Sequence, residues 1–80
     1  MSPEEIKNKT NAIFKEVFKD NALILRDEMT ATDVPKWDSL THLVMISSVE
    51  EEFGIKIKLK ELIAMKNVGD LLKTIASKTT

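Results

Sequence analysis

Apolar residues at Ile6, Ile13, Phe14, Val17 and Phe18 fall near one side of a 3.6-residue period and predict an amphipathic helix from about Pro3 to Lys19. Ser2-Pro3-Glu4-Glu5 opens it with a capping serine, a proline suited to the first helical position and two acids at the positive end of the dipole. The period is then lost from Asp20 to Trp37, where Asn21, Asp27, Thr30, Thr32, Asp33 and Pro35 favour turns. That stretch predicts a long loop pinned by Leu23, Ile24, Leu25 and Met29, with room for a short helical turn near Leu23. A connection of this length in a small domain is often functional. Pro35 disfavours helix at Val34 and brings the chain extended into Lys36-Trp37-Asp38.

A second helix is predicted from Ser39 or Leu40 to Phe53, stopped by Gly54. Met45, Ile46, Val49 and Phe53 make one apolar stripe on it, and Leu40, Leu43 and Val44 begin another. The second stripe is either a partner surface or the edge of a wider buried face. Ile55-Lys56-Ile57-Lys58-Leu59 alternates as a half-buried strand would, but nothing else in the chain offers a strand to pair with it. An extended connector into a short helix, about Lys58 to Ala64, avoids leaving a lone strand's backbone groups unsatisfied. Asn67 then caps a last helix to about Ser77 whose apolar face is Val68, Leu71, Leu72 and Ile75.

Eighty residues make one domain, 1–80, with a small core and little space for a large buried active site. No apolar stretch is long enough to span a bilayer and no secretory pattern is present, so a cytoplasmic location is expected. Without cysteine the chain encodes no thiol, so any thioester it carries needs a prosthetic group to supply one. One histidine and scattered acids match no zinc or calcium pattern. Residues 21–55 hold seven acidic and two basic side chains, whereas 56–80 hold six lysines against two acids. With a net charge of −1, a single arginine and few aromatics, the chain is not expected to bind nucleic acid.

The most informative stretch is Trp37-Asp38-Ser39-Leu40, directly ahead of the helical run that ends Glu50-Glu51-Glu52-Phe53-Gly54-Ile55. Asp38 or Ser39 is suited to cap that helix. A serine there also faces unpaired N–H groups and the positive dipole end, which favour an anion by about 0.3–1 kcal/mol. An enzyme reading would make Ser39 a nucleophile with His42 as base, three residues on along the helix. It lacks an orienting third group, a Gly-x-Ser-x-Gly elbow and enough protein for an oxyanion hole. His42 is expected instead to serve in recognition or packing.

Asp38-Ser39-Leu40, Glu50 to Ile55 and Val68-Gly69-Asp70-Leu71, at this spacing, resemble the acyl carrier protein family over nearly the whole chain. The resemblance implies an all-α, acyl-carrier-like four-helix bundle with three longer helices, one short one and a long first loop. It implies that Ser39 receives phosphopantetheine covalently from coenzyme A through a phosphopantetheinyl transferase, with Asp38 as motif residue and cap. It implies a carrier with no catalytic residues, holding acyl intermediates as thioesters for partner enzymes of fatty-acid, polyketide or specialised lipid biosynthesis. A peptidyl or aminoacyl carrier of nonribosomal-peptide type is the alternative, and a cofactor-free helical interaction module a further one. Leu40, Leu43, Val44, Glu50 and Glu51 match the face on which such carriers meet a loading ligase and downstream synthases or transferases, visited as a monomer. Lys36 departs from the family's usual glycine, and Thr41, His42 and Val44 replace acidic positions, a pattern that points to a dedicated partner set. Met45 and Met65 are expected to line any space that a cargo enters, because methionine adapts to irregular gaps.

Overall fold

The structure, a computed structural model, describes residues 2–34 and 36–79. Four α-helices run in the order α1 (Pro3–Phe18), α2 (Ser39–Phe53), α3 (Leu59–Ala64) and α4 (Val68–Thr79), and one 3-10 turn spans Ala31–Asp33. The described residues contain no strand.

Both ends of α1 follow from local chemistry. Ser2 Oγ accepts the Glu5 N–H at 3.2 Å, Pro3 sits where no N–H is needed, and Lys19 closes the helix in the left-handed region at φ 52°. The Gly54 stop of α2 is cheaper. It too is left-handed at φ 63°, but it carries no Cβ to oppose that geometry, and its N–H bonds to the Glu50 carbonyl.

Ile6, Phe14 and Phe18 of α1 meet Met45, Ile46 and Val49 of α2 and Val68, Leu71 and Ile75 of α4 in a single core. The first loop closes it with Leu23, Leu25, Met29 and Val34. Ile24, expected as a pin, is 75% exposed. Its neighbours on both sides turn inward, and in an extended segment successive side chains must point to opposite sides. The short helical turn falls at Ala31–Asp33 rather than near Leu23, with the Thr30 N–H donating to the Asp33 carboxylate at 2.9 Å. Val34 is extended, as expected ahead of a proline; Pro35 itself lies outside the described residues.

Loop backbone groups find partners on two helices. Asn11 of α1 accepts the Leu25 N–H at 2.7 Å and donates to the Leu23 carbonyl, while Val68 and Gly69 N–H groups donate to the Met29 and Asp27 carbonyls at 2.8 Å each. Gly69 suits that approach: a Cβ there would sit a tight 3.2 Å from the Asp27 carbonyl oxygen, which would have to give way slightly. The α4 cap is Asn67, whose Oδ1 accepts the Asp70 N–H at 2.9 Å.

Ile55, Ile57 and the lysines between and after them alternate inward and outward without a partner strand. The Glu50 carboxylate takes the place of one, accepting the Ile57 N–H at 2.8 Å. Glu50→Ala should therefore cost about 1–3 kcal/mol, the penalty of a part-buried donor left unpaired, whereas Glu50→Gln, which retains an acceptor, should cost less. Equilibrium urea unfolding of the two variants checks this. The segment leads into α3, which buries no residue completely and is tied to α4 by the Lys78–Glu61 ion pair at 3.0 Å.

Candidate functional site

The start of α2 resolves which residue caps it. Asp38 Oδ1 accepts the Thr41 N–H at 2.9 Å, and Thr41 Oγ1 accepts the Asp38 N–H at 2.8 Å, so the two satisfy each other's donors. The bond from the Thr41 N–H holds the Asp38 carboxyl below its ordinary pKa, since it favours the charged form. Ser39 is thereby released from capping. It occupies the first helical position, exposed, and its hydroxyl bonds to none of the described residues. Asp38→Ala should lower the thermal midpoint and fray α2 from its first turn, seen as a loss of far-ultraviolet helicity.

Trp37 and His42 flank the serine and bond to each other. The indole Nε1–H donates to His42 Nδ1 at 2.9 Å, with the rings 16° from parallel. Behind them the indole meets Phe14 edge-on at 5.3 Å and Phe18 at 5.8 Å, so an aromatic chain joins the core to the serine. His42 is a half-buried packing residue, and the nitrogen that could accept a proton from Ser39 is taken by Trp37.

Burial lowers the His42 pKa from its ordinary 6.5. The unfolded chain then binds this proton more tightly than the folded one. His42's contribution to stability is complete above the unfolded value and is lost as pH falls through it toward the lower folded value. Urea midpoints should accordingly drop as pH falls through the ordinary histidine value of 6.5, and His42→Gln should flatten that drop.

An open groove of about 560 Å³ lies beside Ser39. Trp37, Asp38, Ser39, His42 and Leu43 line one side and Leu59, Leu62 and Ile63 of α3 the other. Met45 is fully buried in the core and Met65 half-buried, and neither lines this groove. The α3 residues escaped sequence reasoning because their spacing reads equally well as a buried face. Trp37 was legible only as an aromatic beside the serine in an aromatic-poor chain.

Beyond the groove-lining Leu43, Leu40 (71% exposed) and Val44 extend the apolar surface of α2, and the lining residues Leu59 and Ile63 (75%) of α3 are likewise exposed. The second stripe of α2 thus faces outward. Glu51 is exposed on the same helix, while the Glu50 carboxylate is turned to Ile57. Among the described residues no group of three or more His, Cys, Asp or Glu could hold a metal ion, and no helix is long and apolar enough to cross a membrane.

No protein-family model matches the chain. An acyl carrier protein from Acidothermus cellulolyticus is 33% identical over 79 residues, a match covering 99% of this chain and 94% of the relative. The chain belongs to the acyl carrier protein family. Its fold agrees. A solution structure of a holo acyl carrier protein from Geobacter metallireducens superposes with a TM-score of 0.86 at 40% identity, over 90% of this chain and 83% of that one. A putative acyl carrier protein from Mycobacterium tuberculosis gives 0.81 at 24% identity, over 90% and 96%, which bears on the fold alone. The match to the Acidothermus acyl carrier protein runs along almost the entire chain and so takes in the capped start of α2 and both walls of the groove.

Proposed function

We propose that this chain is an acyl carrier whose Ser39 bears a covalently attached phosphopantetheine. The observation that carries this is the division of labour at α2: Asp38 caps the helix, leaving the adjacent Ser39 hydroxyl exposed and without a bond among the described residues. The residues present fit the group. A phosphodiester on Ser39 would lie at a helix start whose first N–H groups have no intrahelical acceptors. The family membership and the holo form of the Geobacter relative support the same assignment. When attached, the arm supplies the thiol that this cysteine-free chain lacks and carries acyl groups on it as thioesters.

The groove favours an acyl over an aminoacyl or peptidyl cargo. Leu43, Leu59, Leu62 and Ile63 give it an apolar surface with few groups to pair an amine or a peptide. Leu40, Leu43 and Val44, with Glu51 and the backbone side of Glu50 at the far end, form the face offered to the transferase, the loading enzyme and the synthases that follow. No charged residue lies between Ser39 and Val49, so partners with an apolar rather than a strongly basic surface suit it. Tethering at Ser39 raises the cargo's effective concentration at each docked partner. The chain itself needs no catalytic residue for this task.

Incubating the unmodified protein with coenzyme A and a broad-specificity phosphopantetheinyl transferase tests the proposal. One adduct by intact mass, localised to Ser39 by fragmentation, is the expected result. An unchanged mass, or an adduct at another residue, would refute it.

A further inference from the structure

Of the side chains lining the groove, Leu43, Leu59, Leu62 and Ile63 are apolar and the Asp38 carboxylate, an acceptor, is engaged by Thr41. The Trp37 N–H is spent on His42, and the Ser39 hydroxyl would be consumed by attachment of the arm. His42 is what remains.

Its state follows from its neighbour. Nδ1 accepts the indole N–H at 2.9 Å, so the neutral imidazole must carry its own proton on Nε2. Trp37 cannot readily yield that bond, because Phe14 and Phe18 hold the indole from behind. Nε2 has no partner among the described residues, and none of their buried side-chain nitrogens or oxygens is left unpaired, so Nε2 is open to solvent. Ser39 and His42, three apart on α2, share one helix face. The α3 wall opposite contributes no charge to the groove lining, α1 presents Phe14 and Phe18 behind the indole, and the one charged lining group is Asp38, a turn before His42.

We infer that His42, fixed by Trp37 as its Nε2–H tautomer, positions the arm rooted on Ser39 by donating a hydrogen bond to one of the arm's amide carbonyls. This rests on the proposed attachment at Ser39. Among the side chains lining the groove His42 is the one donor left free, so a carbonyl of the arm meets no rival acceptor from the lining there, and a charged imidazolium is disfavoured by the partial burial of the ring. The arm is then laid along the groove toward Leu62 and Ile63 rather than left free in solvent.

The chain holds one histidine and one tryptophan, so nitrogen-15 spectra of both rings are assigned without ambiguity. Before loading, His42 should show an unprotonated Nδ1 and a protonated Nε2, with a downfield Trp37 indole proton that moves upfield as acid protonates His42. After loading, confirmed by intact mass, the Nε2 and Hε2 resonances should shift, and the arm should show Overhauser contacts to Leu43 and Leu62 methyls. Trp37→Phe, which keeps a ring but removes the donor, should mix the tautomers and weaken those contacts severalfold. His42→Gln should retain them in part and His42→Ala should lose them.

A proton found on Nδ1, or an Nε2 resonance identical before and after confirmed loading, overturns the inference while leaving the attachment intact. Failure to load at all overturns both, and the mass spectrum separates that case. If Trp37→Phe does not fold, the comparison of the unsubstituted protein before and after loading decides alone.

Discussion

Ser39→Ala is expected to keep its unmodified mass under conditions in which the parent chain takes up one arm, while unfolding within about 0.5 kcal/mol of it. Loss of function should be complete because a serine hydroxyl is the attachment atom, the chain has no cysteine to replace it, and the other serine at a helix start, Ser2, has its hydroxyl engaged by the Glu5 N–H. Stability should hold for two local reasons. The Ser39 hydroxyl bonds to none of the described residues, and the cap is supplied by Asp38 through Thr41. Alanine moreover has the highest intrinsic helix propensity, so it should not disturb the helix that follows. Asp38→Ala should show the complementary pattern, with a lower midpoint and the attachment atom still present. A Ser39→Ala variant that still gains the arm, or one that unfolds, would contradict the assignment of separate roles to these two neighbours.

Phe14→Ala is expected to cost about 3–5 kcal/mol, the usual range for truncating a fully buried aromatic. Phe14 has no exposed surface and meets Phe18 at 5.4 Å and Trp37 at 5.3 Å. At about 0.05–0.15 kcal/mol per residue, eighty residues give a total stability of only about 4–12 kcal/mol, so this one change should remove between about a quarter and all of it. Circular dichroism followed through urea unfolding measures it. The effect should also reach the site. Without Phe14 the indole loses its edge-on partner, and the Trp37–His42 bond should loosen even in molecules that remain folded. A cost below about 1 kcal/mol would mean that the neighbouring side chains collapse into the space, against the tight packing of such cores.

The parts of the fold legible in the sequence are those governed by neighbours in the chain. Ser2-Pro3-Glu4-Glu5, the stop at Gly54 and the Asn67 cap act over three or four residues, so their chemistry can be read from order alone. The stripe Met45, Ile46 and Val49 is likewise a matter of period and is buried as expected. Ile24 shows where this stops: hydrophobicity marked it as a pin, but which way an extended loop segment turns its side chains depends on where Asn11 of α1 grips the Leu23 and Leu25 backbone. Glu50 shows the same from the polar side. Its carboxylate serves the Ile57 backbone seven residues on, a need created only when the connector folds back and one that its place in the helix sequence does not reveal.

By itself the sequence determined the four helices, the Ser2 and Asn67 caps, the Gly54 stop and the serine at the head of the second helix, because helix period, capping and the lack of a thiol are properties of residue order. Only tertiary structure decided that the stripe of Leu40, Leu43 and Val44 faces outward, that α3 supplies the second wall of a groove beside Ser39, and that Trp37 sets the tautomer of His42. The physical reason is common to all three. Exposure, cavity walls and hydrogen-bond partners are set by which surfaces meet, and an apolar residue of given spacing is equally compatible with burial or with a lining until the helices opposite it are in place.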